Sequence, residues 1–515
     1  MMSISALNGC SLRIENRTNR VYVAPHGGED AFEECLASLT SEGFTAVEAY
    51  ADAHRRFAAL KKEGTGVFLN YFPATGDLRA VVEEDCAYFS YSDRRGEGEC
   101  SAQITQIPLE DFGLSYAIRL PDGRFILLDG GWNFAPDAER LYRCLVRGSE
   151  GQKPVVAAWI LTHPHRDHYQ CFIGFMERYA DRVTVEKVLL NFPEADDPAF
   201  AKDFTYVDPR VPQSDEVFNL PRMWDCIARC GAAVYTAHTG QRYRIGDALC
   251  EVLSSFDDVV GDTTNVNATS LVLRMELGGQ VILWTADSAF SIARLPQRYG
   301  TYLKADILQV PHHGFQSGAF EAEVEGYDLI APSVCLLPVS DYNAYTAFCI
   351  HREGTRHLML NCGVEDLIAG SAERTLTLPY TPPAHAKQTL ARRCAEGLEA
   401  CGAKSWIFTG LNTAQAEDFC FDVLNTTFLT ATINCEIFFE DKTRRILHIR
   451  FPAHAARTRR VNVVGDEVDK DALWFNEYAL KHRSVPENAP FAIRFMSDIP
   501  VVISHPNHAP AHRGS

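Results

Sequence analysis

The chain has 515 residues, 46% hydrophobic and 23% charged, which is material for several packed cores and excludes a disordered, collagenous or coiled-coil chain. Its 49 basic and 67 acidic residues leave a net charge of −18, which argues against nucleic acid or an anionic membrane face as a partner. Its sixteen cysteines form no short CxxC pair, no apolar run is long enough to span a membrane, and the first residues do not read as a signal peptide. A cytoplasmic protein with reduced thiols is the expectation.

In chain order, Arg20–Val23 and Gly66–Phe72 have the β-branched and aromatic content of strands. Asp30–Leu39 and Ala53–Lys62 carry apolar residues at helical spacing and are expected to be helices. These elements make a small α+β unit, assigned to residues 1–100 and ending in the charged stretch 92–100. Ala117–Gly131 reads as two strands around a Pro-Asp-Gly turn. Val155–Thr162 is a continuous apolar run, as in a strand buried on both faces. A helical pattern follows over 169–180, then a strand at 185–191. Strands at 270–277 and 280–287 flank Gly278–Gly279, and 305–311 and 327–339 continue the series. The alternation predicts an α/β sheet sandwich covered by helices over 101–382. The Pro/Ala-rich stretch 381–388 reads as a linker, and 383–515 as a helix followed by a β-rich accessory domain. The tail with His505, His508 and His512 is expected to be a disordered polar terminus, and Cys226 and Cys230 to share one helix. There is no internal repeat or low-complexity tract.

Chemistry concentrates in Leu161-Thr162-His163-Pro164-His165-Arg166-Asp167-His168, where three histidines and an aspartate fall within six residues directly after the apolar run. Residues two apart share a side of extended chain, so His163 and His165 can face one ion. Asp167 and His168, at the entry to the next helix, can address a second. Imidazole and carboxylate donors together suit zinc, manganese or iron, with the histidine content favouring zinc.

HxHxDH after a strand resembles the metallo-β-lactamase superfamily of hydrolases, and further motifs fall in that family's order. Asp129-Gly130-Gly131 ends an early strand, Asp287 ends the strand Val281–Ala286, and Val310-Pro311-His312-His313-Gly314 follows Ala305–Gln309. The resemblance covers about residues 100–380 and implies an αββα sandwich there, flanked by the N-terminal α+β unit and the C-terminal β-rich domain. Asn267-Ala268-Thr269-Ser270, Asp287, Lys304-Ala305-Asp306 and the His-His-Gly resemble the branch that contains the nuclease-like domain of DNA-uptake channels and the bacterial phosphocholine esterases.

The resemblance implies two divalent ions, zinc first, with manganese or iron as alternatives. One would sit on His163, His165 and Asp287 near Asn267, which stands where many members have a third histidine and could equally be an Asx-turn residue. The other would sit on Asp167, His168, Asp287 and one histidine of the pair; His313 is preferred, His312 then being a donor or substrate contact, and the reverse stays open. His238 is an alternative third ligand outside the motif order, and Asp129 is expected behind the site. The candidate catalytic residues are Asp167, His312 and Asn267. Tyr169 and Phe315 replace small residues common in the family and are candidate pocket walls.

The implied reaction is hydrolysis by a water shared between the ions and acidified toward neutrality. A phosphodiester or related phosphoester is the leading substrate class, and the acidic charge favours a small or headgroup-like ester over long DNA. Carboxyl-ester, lactone or thioester hydrolysis on the same ions is the first alternative, and a non-catalytic metal-binding interaction protein the second. The flanking regions could cover the site, mediate homo-oligomerisation, or bind a glycan or protein.

Overall fold

The computed structural model describes residues 7, 10–15, 19–24, 27–94, 98, 100–193, 220–316, 318–341, 343–348, 352–400, 403–415, 418, 420–425, 431–442, 444–451, 455–460 and 488–514. Residues 95–97 and 99 of the charged stretch, and 426–430 and 461–487 of the expected β-rich domain, lie outside them. The chain forms two compact units, Met1–Val339 with Gly354–Leu390 and Ser340–Glu353 with Ala391–Ser515.

The first unit begins with β1 (Ser11–Glu15), β2 (Asn19–Ala24), helix α1 (Gly28–Ser41), β3 (Thr45–Ala51), β4 (Arg56–Lys62), β5 (Thr65–Phe72) and β6 (Asp77–Glu83). The strands form an antiparallel sheet in the order β1-β2-β6-β5-β4-β3. Phe32, Cys35 and Leu39 of α1 pack on Ala58, Leu60, Val67, Leu69 and Val82. The other face, with Val21, Phe57, Ala59, Phe68 and Val81, packs on Phe256, Val260 and Val266. The expected helix over 53–62 is corrected here: 56–62 is β4. Both faces of its centre are covered, so 57–60 are apolar in succession, and the small alanines that look helical supply two of those positions.

Next come β7 (Gln103–Gln106), β8 (Ser115–Arg119), β9 (Phe125–Asp129), α2 (Ala135–Gly148), β10 (Val155–Ile160), α3 (Arg166–Tyr179), β11 (Thr184–Val185), β12 (Lys187–Leu190), α4 (Leu220–Cys230) and β13 (Ala233–Thr236). A further sheet uses β14 (Arg242–Ile245), β15 (Ala248–Ser254), β16 (Val272–Leu277), β17 (Gln280–Trp284) and β18 (Ile307–Gln309). After α5 (Phe320–Ile330) and β19 (Val334–Leu337) come α6 (Glu353–Asn361), β20 (Asp366–Ala369) and β21 (Arg374–Thr377). The stretch 327–339 is thus the end of a helix before a four-residue strand.

The two sheets run β13-β12-β10-β9-β8-β7-β21 and β14-β15-β16-β17-β18-β19-β20, with β11 pairing β10. Their facing sides share one core that includes Ile104, Tyr116, Ile118, Ile160, Met275, Trp284, Ile307 and Leu336. The outer face of the first sheet is sealed by α2, α3 and α4 through Leu141, Phe172, Phe175, Met223 and Ile227 around Trp159. Tyr169, expected at the pocket wall, belongs to this helix-covered core and is fully buried. The parallel strands β9, β10 and β12 all end at the same edge, and so do β17 and β18 in the opposing sheet. Loops at such carboxyl ends are where an α/β fold presents its chemistry.

The second unit follows from α7 (Ala386–Ala400) and contains β22 (Ala403–Asn412), β23 (Cys420–Asn425), β24 (Ala431–Phe439), β25 (Arg444–Phe451), β26 (Ala455–Arg460), β27 (Pro490–Ser504) and β28 (His512–Gly514). Its sheet runs β25-β24-β27-β22-β28, and β23 pairs with β26 and β27. Trp406, Phe408, Phe421 and Phe495 fill its core. The polar tail departs from expectation: His505 is buried against Phe421, and 512–514 pair with β22. Backbone pairing holds that tail despite its polar side chains. Among the described residues no helix is long and apolar enough to cross a membrane.

Candidate metal centre

Five loops at the strand ends converge on one buried cluster. β10 delivers Thr162 and His163; Pro164 keeps the chain extended, and His165 caps α3, whose first turn holds Asp167 and His168. A carboxylate suits that helix end, where the backbone dipole is positive. The β17 loop supplies Asp287, and a turn after β18 supplies His312 and His313, both left-handed at φ 49° and 52°. The 266–269 turn supplies Asn267 and the β9 end supplies Asp129. The loops are tied to one another: Leu271 N donates to Thr162 O at 3.0 Å, His312 N to Ala286 O at 2.9 Å, and Gly130 N to His168 O at 2.9 Å. Gly113 lies so close that a Cβ there would fall 2.7 Å from the Asp167 carbonyl oxygen.

Two donor groups result. Asp167, His168, Asp287 and His313 bring one donor atom each within 4.8 Å of one another, and His163, His165 and Asp287 do the same. In the first group, His168 Nε2 lies 3.2 Å from Asp287 Oδ1, 3.6 Å from Asp167 Oδ2 and 3.2 Å from His313 Nε2. His313 Nε2 lies 3.1 Å from Asp167 Oδ2 and 3.4 Å from Asp287 Oδ2. Donors at about 2.0–2.1 Å around a tetrahedral ion stand roughly 3.3 Å apart, so this group has the spacing of a ligand shell. In the second group His163 Nε2 is 3.8 Å from Asp287 Oδ2 and, though wholly buried, has no hydrogen-bond partner. A buried imidazole nitrogen without a partner carries an unrelieved desolvation cost that a cation would remove. The donor set therefore fits divalent ions of the zinc class.

The supporting residues fix how the imidazoles present themselves. Thr162 donates to Asp129 through its amide at 2.8 Å and its hydroxyl at 2.6 Å. With its proton committed there, the Thr162 hydroxyl accepts from His163 Nδ1 at 3.2 Å, which leaves the Nε2 lone pair facing Asp287. Asp129 likewise accepts from His168 Nδ1 at 2.7 Å and turns its Nε2 inward. Asp129 does this from behind the cluster, as the sequence suggests, at φ 50°, with Trp159 Nε1 donating to its carbonyl.

Burial opposes ionisation of Asp167 and Asp287, but the imidazoles of His168 and His313 hold both carboxyls well below the usual range. Burial also opposes a proton on His168, yet Asp287, Asp167 and Asp129 hold its pKa well above the ordinary value. His313 is raised in the same way to about 9, by Asp287 and Asp167. His163 is lowered, first by burial and then by the charge of His168. The cluster thus gathers positive charge around two buried carboxylates.

His163, His165, Asp167, His168, Asp287 and His313 all meet in these groups. His312 Nε2 stands 3.9 Å from Asp287 Oδ2 on a side chain 25% exposed, and it accepts from Asn267 Nδ2 at 3.2 Å. That amide occupies the Nε2 lone pair of His312, whereas His313 Nε2 faces the carboxylates. The Asx turn in this loop is made by Asn265, whose side chain accepts from Asn267 N, so the Asn267 side chain is free to point at His312. His238 lies apart from the cluster: its Nδ1 is 2.7 Å from Asp257 Oδ2 and its Nε2 3.5 Å from Glu83. Sequence reasoning missed two participants. Thr162 directly precedes the motif, and a hydroxyl beside a ligand histidine is the signal that could have found it. Phe112, in a loop without periodicity, packs 5.5 Å from the His313 ring and 6.3 Å from Phe315, forming an aromatic wall with Trp132.

Residues 109–322 match the family model described as the metallo-beta-lactamase superfamily. No curated protein matches the chain. Similar solved structures include the metallo-beta-lactamase fold protein YhfI from Bacillus subtilis, at 15% identity over 46% of this chain and 85% of that one, TM-score 0.28. A metallo beta lactamase from Erythrobacter litoralis is 9% identical over 68% of this chain and 100% of its own, TM-score 0.21. The Anabaena sensory rhodopsin transducer is 21% identical over 21% of this chain and 83% of its own, TM-score 0.16.

Proposed function

We propose that the metallo-beta-lactamase superfamily domain of this chain is a metal-dependent hydrolase of phosphodiesters or related phosphoesters. In this reading two divalent ions, zinc first among them, are held by His163, His165, Asp167, His168, Asp287 and His313. The observation that carries it is that one buried carboxylate, Asp287, belongs to both donor groups. Ions bound there would supply Lewis acidity and an acidified water.

Each protein group has a distinct task. Asp129 and Thr162 orient His168 and His163 and fix which nitrogen each presents. Ser270 Oγ accepts from the Asp287 amide at 3.2 Å and steadies that residue's loop. His312, held by Asn267 and reachable from solvent, is placed to contact the substrate. The phosphoester class is favoured by the likeness of Asn267, Ser270 and His312-His313-Gly314 to the phosphoesterase-containing branch. The net charge of −18 favours a small or headgroup-like molecule, and reduced thiols favour the cytoplasm as its place of work.

The half-buried rings of Phe112 and Phe315, backed by the buried Trp132, favour a second reading, hydrolysis of a carboxyl ester, lactone or thioester with an apolar acyl or aryl part. The test is hydrolysis of bis(p-nitrophenyl) phosphate by protein reloaded with zinc or manganese, beside Asp167→Ala. Metal-dependent turnover lost in the variant supports the phosphodiester reading. Turnover of an aryl carboxyl ester but not the diester, with metal bound, overturns it in favour of the second.

A further inference from the structure

Away from the buried cluster, Asp328, His357 and Cys362 bring one donor atom each within 4.8 Å of one another. The three come from two helices of the first unit. Asp328 is in the last turn of α5, His357 is in α6, and Cys362 directly follows α6. His357 Nε2 lies 2.8 Å from Asp328 Oδ1, and Cys362 Sγ lies 3.4 Å from the same oxygen. The thiol side is buried, with Cys362 8% exposed, while Asp328 opens to solvent.

The electrostatics of the spot also call for a cation. Both helices end here, so both present the negative end of their backbone dipoles. Neither carries a basic residue in its last turn, and α5 adds the Asp328 carboxylate at the end where a carboxylate is disfavoured. Imidazole, thiolate and carboxylate together are a donor set for zinc and its chemical relatives, not for calcium or magnesium.

We propose that Asp328, His357 and Cys362 form a second, peripheral metal site for a zinc-class divalent ion, which clips the end of α5 to the end of α6 and leaves a coordination position open to solvent. On binding, Cys362 yields its proton to water, and the ion takes the place of the hydrogen bond now joining His357 to Asp328. The other end of α6 is already fixed, because Thr355 Oγ1 donates to Gly314 O at 2.7 Å in the turn that carries His313. A clip at residues 357–362 would therefore brace that turn through one rigid helix.

The proposal is independent of the hydrolase reading, because the buried donor groups contain no cysteine. Cobalt(II) alone, titrated into stripped full-length protein, separates the two. A thiolate ligand gives a near-ultraviolet sulfur-to-cobalt charge-transfer band that imidazole and carboxylate do not. The expected result is a saturable band that survives Asp167→Ala, disappears in Cys362→Ser, and needs at least tenfold more cobalt in His357→Gln. Retained circular dichroism, and retained visible cobalt absorption from the buried cluster, would show that the variants fold. A band absent from the parent protein, or unchanged in Cys362→Ser, overturns the proposal.

Discussion

His238 offers the sharpest test of the reasoning outside the site. It is fully buried, with Asp257 Oδ2 at 2.7 Å from Nδ1 and Glu83 Oε2 at 3.5 Å from Nε2, and the tilted ring of Phe68 packs with its centroid 5.1 Å away. Burial alone would lower its pKa, but Asp257 and Glu83 raise it from 6.5 to about 10. A group whose folded pKa is raised stabilises the fold fully below its unfolded value, and that stability is lost as pH rises through the folded one. Between those limits the folded chain holds one proton more than the unfolded chain, so stability falls by about 1.4 kcal/mol per pH unit. From pH 7.5 to 9 His238 should therefore remove about 2 kcal/mol. Glu83, whose pKa is lowered, titrates on the acid side and adds nothing in this window. Urea unfolding at several pH values, parent against His238→Gln, isolates the contribution as a difference in slope. The variant should be less stable at pH 7.5 yet lose less on going to pH 9. Equal slopes would refute a charged His238 held between Asp257 and Glu83.

Two further outcomes follow from the geometry. Asp129→Asn keeps shape and tolerates the left-handed backbone but sets an amide where three donors converge, so zinc retention against a competing chelator should fall about 10–100-fold. Unchanged retention would mean that Asp129 does not orient His168. Glu63, exposed at φ 53° in the tight turn between β4 and β5, should be replaceable by glycine with a gain of about 0.5–1 kcal/mol in thermal or urea unfolding.

What the sequence disclosed was local. HxHxDH after an apolar run and the His-His-Gly after a strand name the cluster because ligand spacing and strand ends are written in consecutive residues. What escaped depends on partners distant in the chain. Ala58 and Ala59 have helical propensity, and only α1 on one side and Phe256 with Val260 on the other make their segment a strand. His238 looked like a spare ligand because Glu83, which faces it, is more than 150 positions away. Tyr169 follows the motif immediately, yet a helix lying flat on its sheet turns that position into the core. Phe112 reaches His313 from a loop whose course no periodicity encodes.

The order of strands in the two facing sheets bears on how the molecule can be taken apart. The stretch that matches the family, 109–322, ends before β19, β20 and β21. Two of these complete the second sheet beyond β18, and β21 closes the first by pairing with β7, which itself lies upstream of the match. An excised fragment with those limits would carry every candidate ligand and still bare the edges of β8 and β18. It would also strip Phe256, Val260 and Val266, next to the Asn267 turn, of the sheet that covers them. Unpaired edges and an uncovered apolar face are the ingredients of aggregation, so insolubility of such a fragment would report on where it was cut, not on the chemistry it carries.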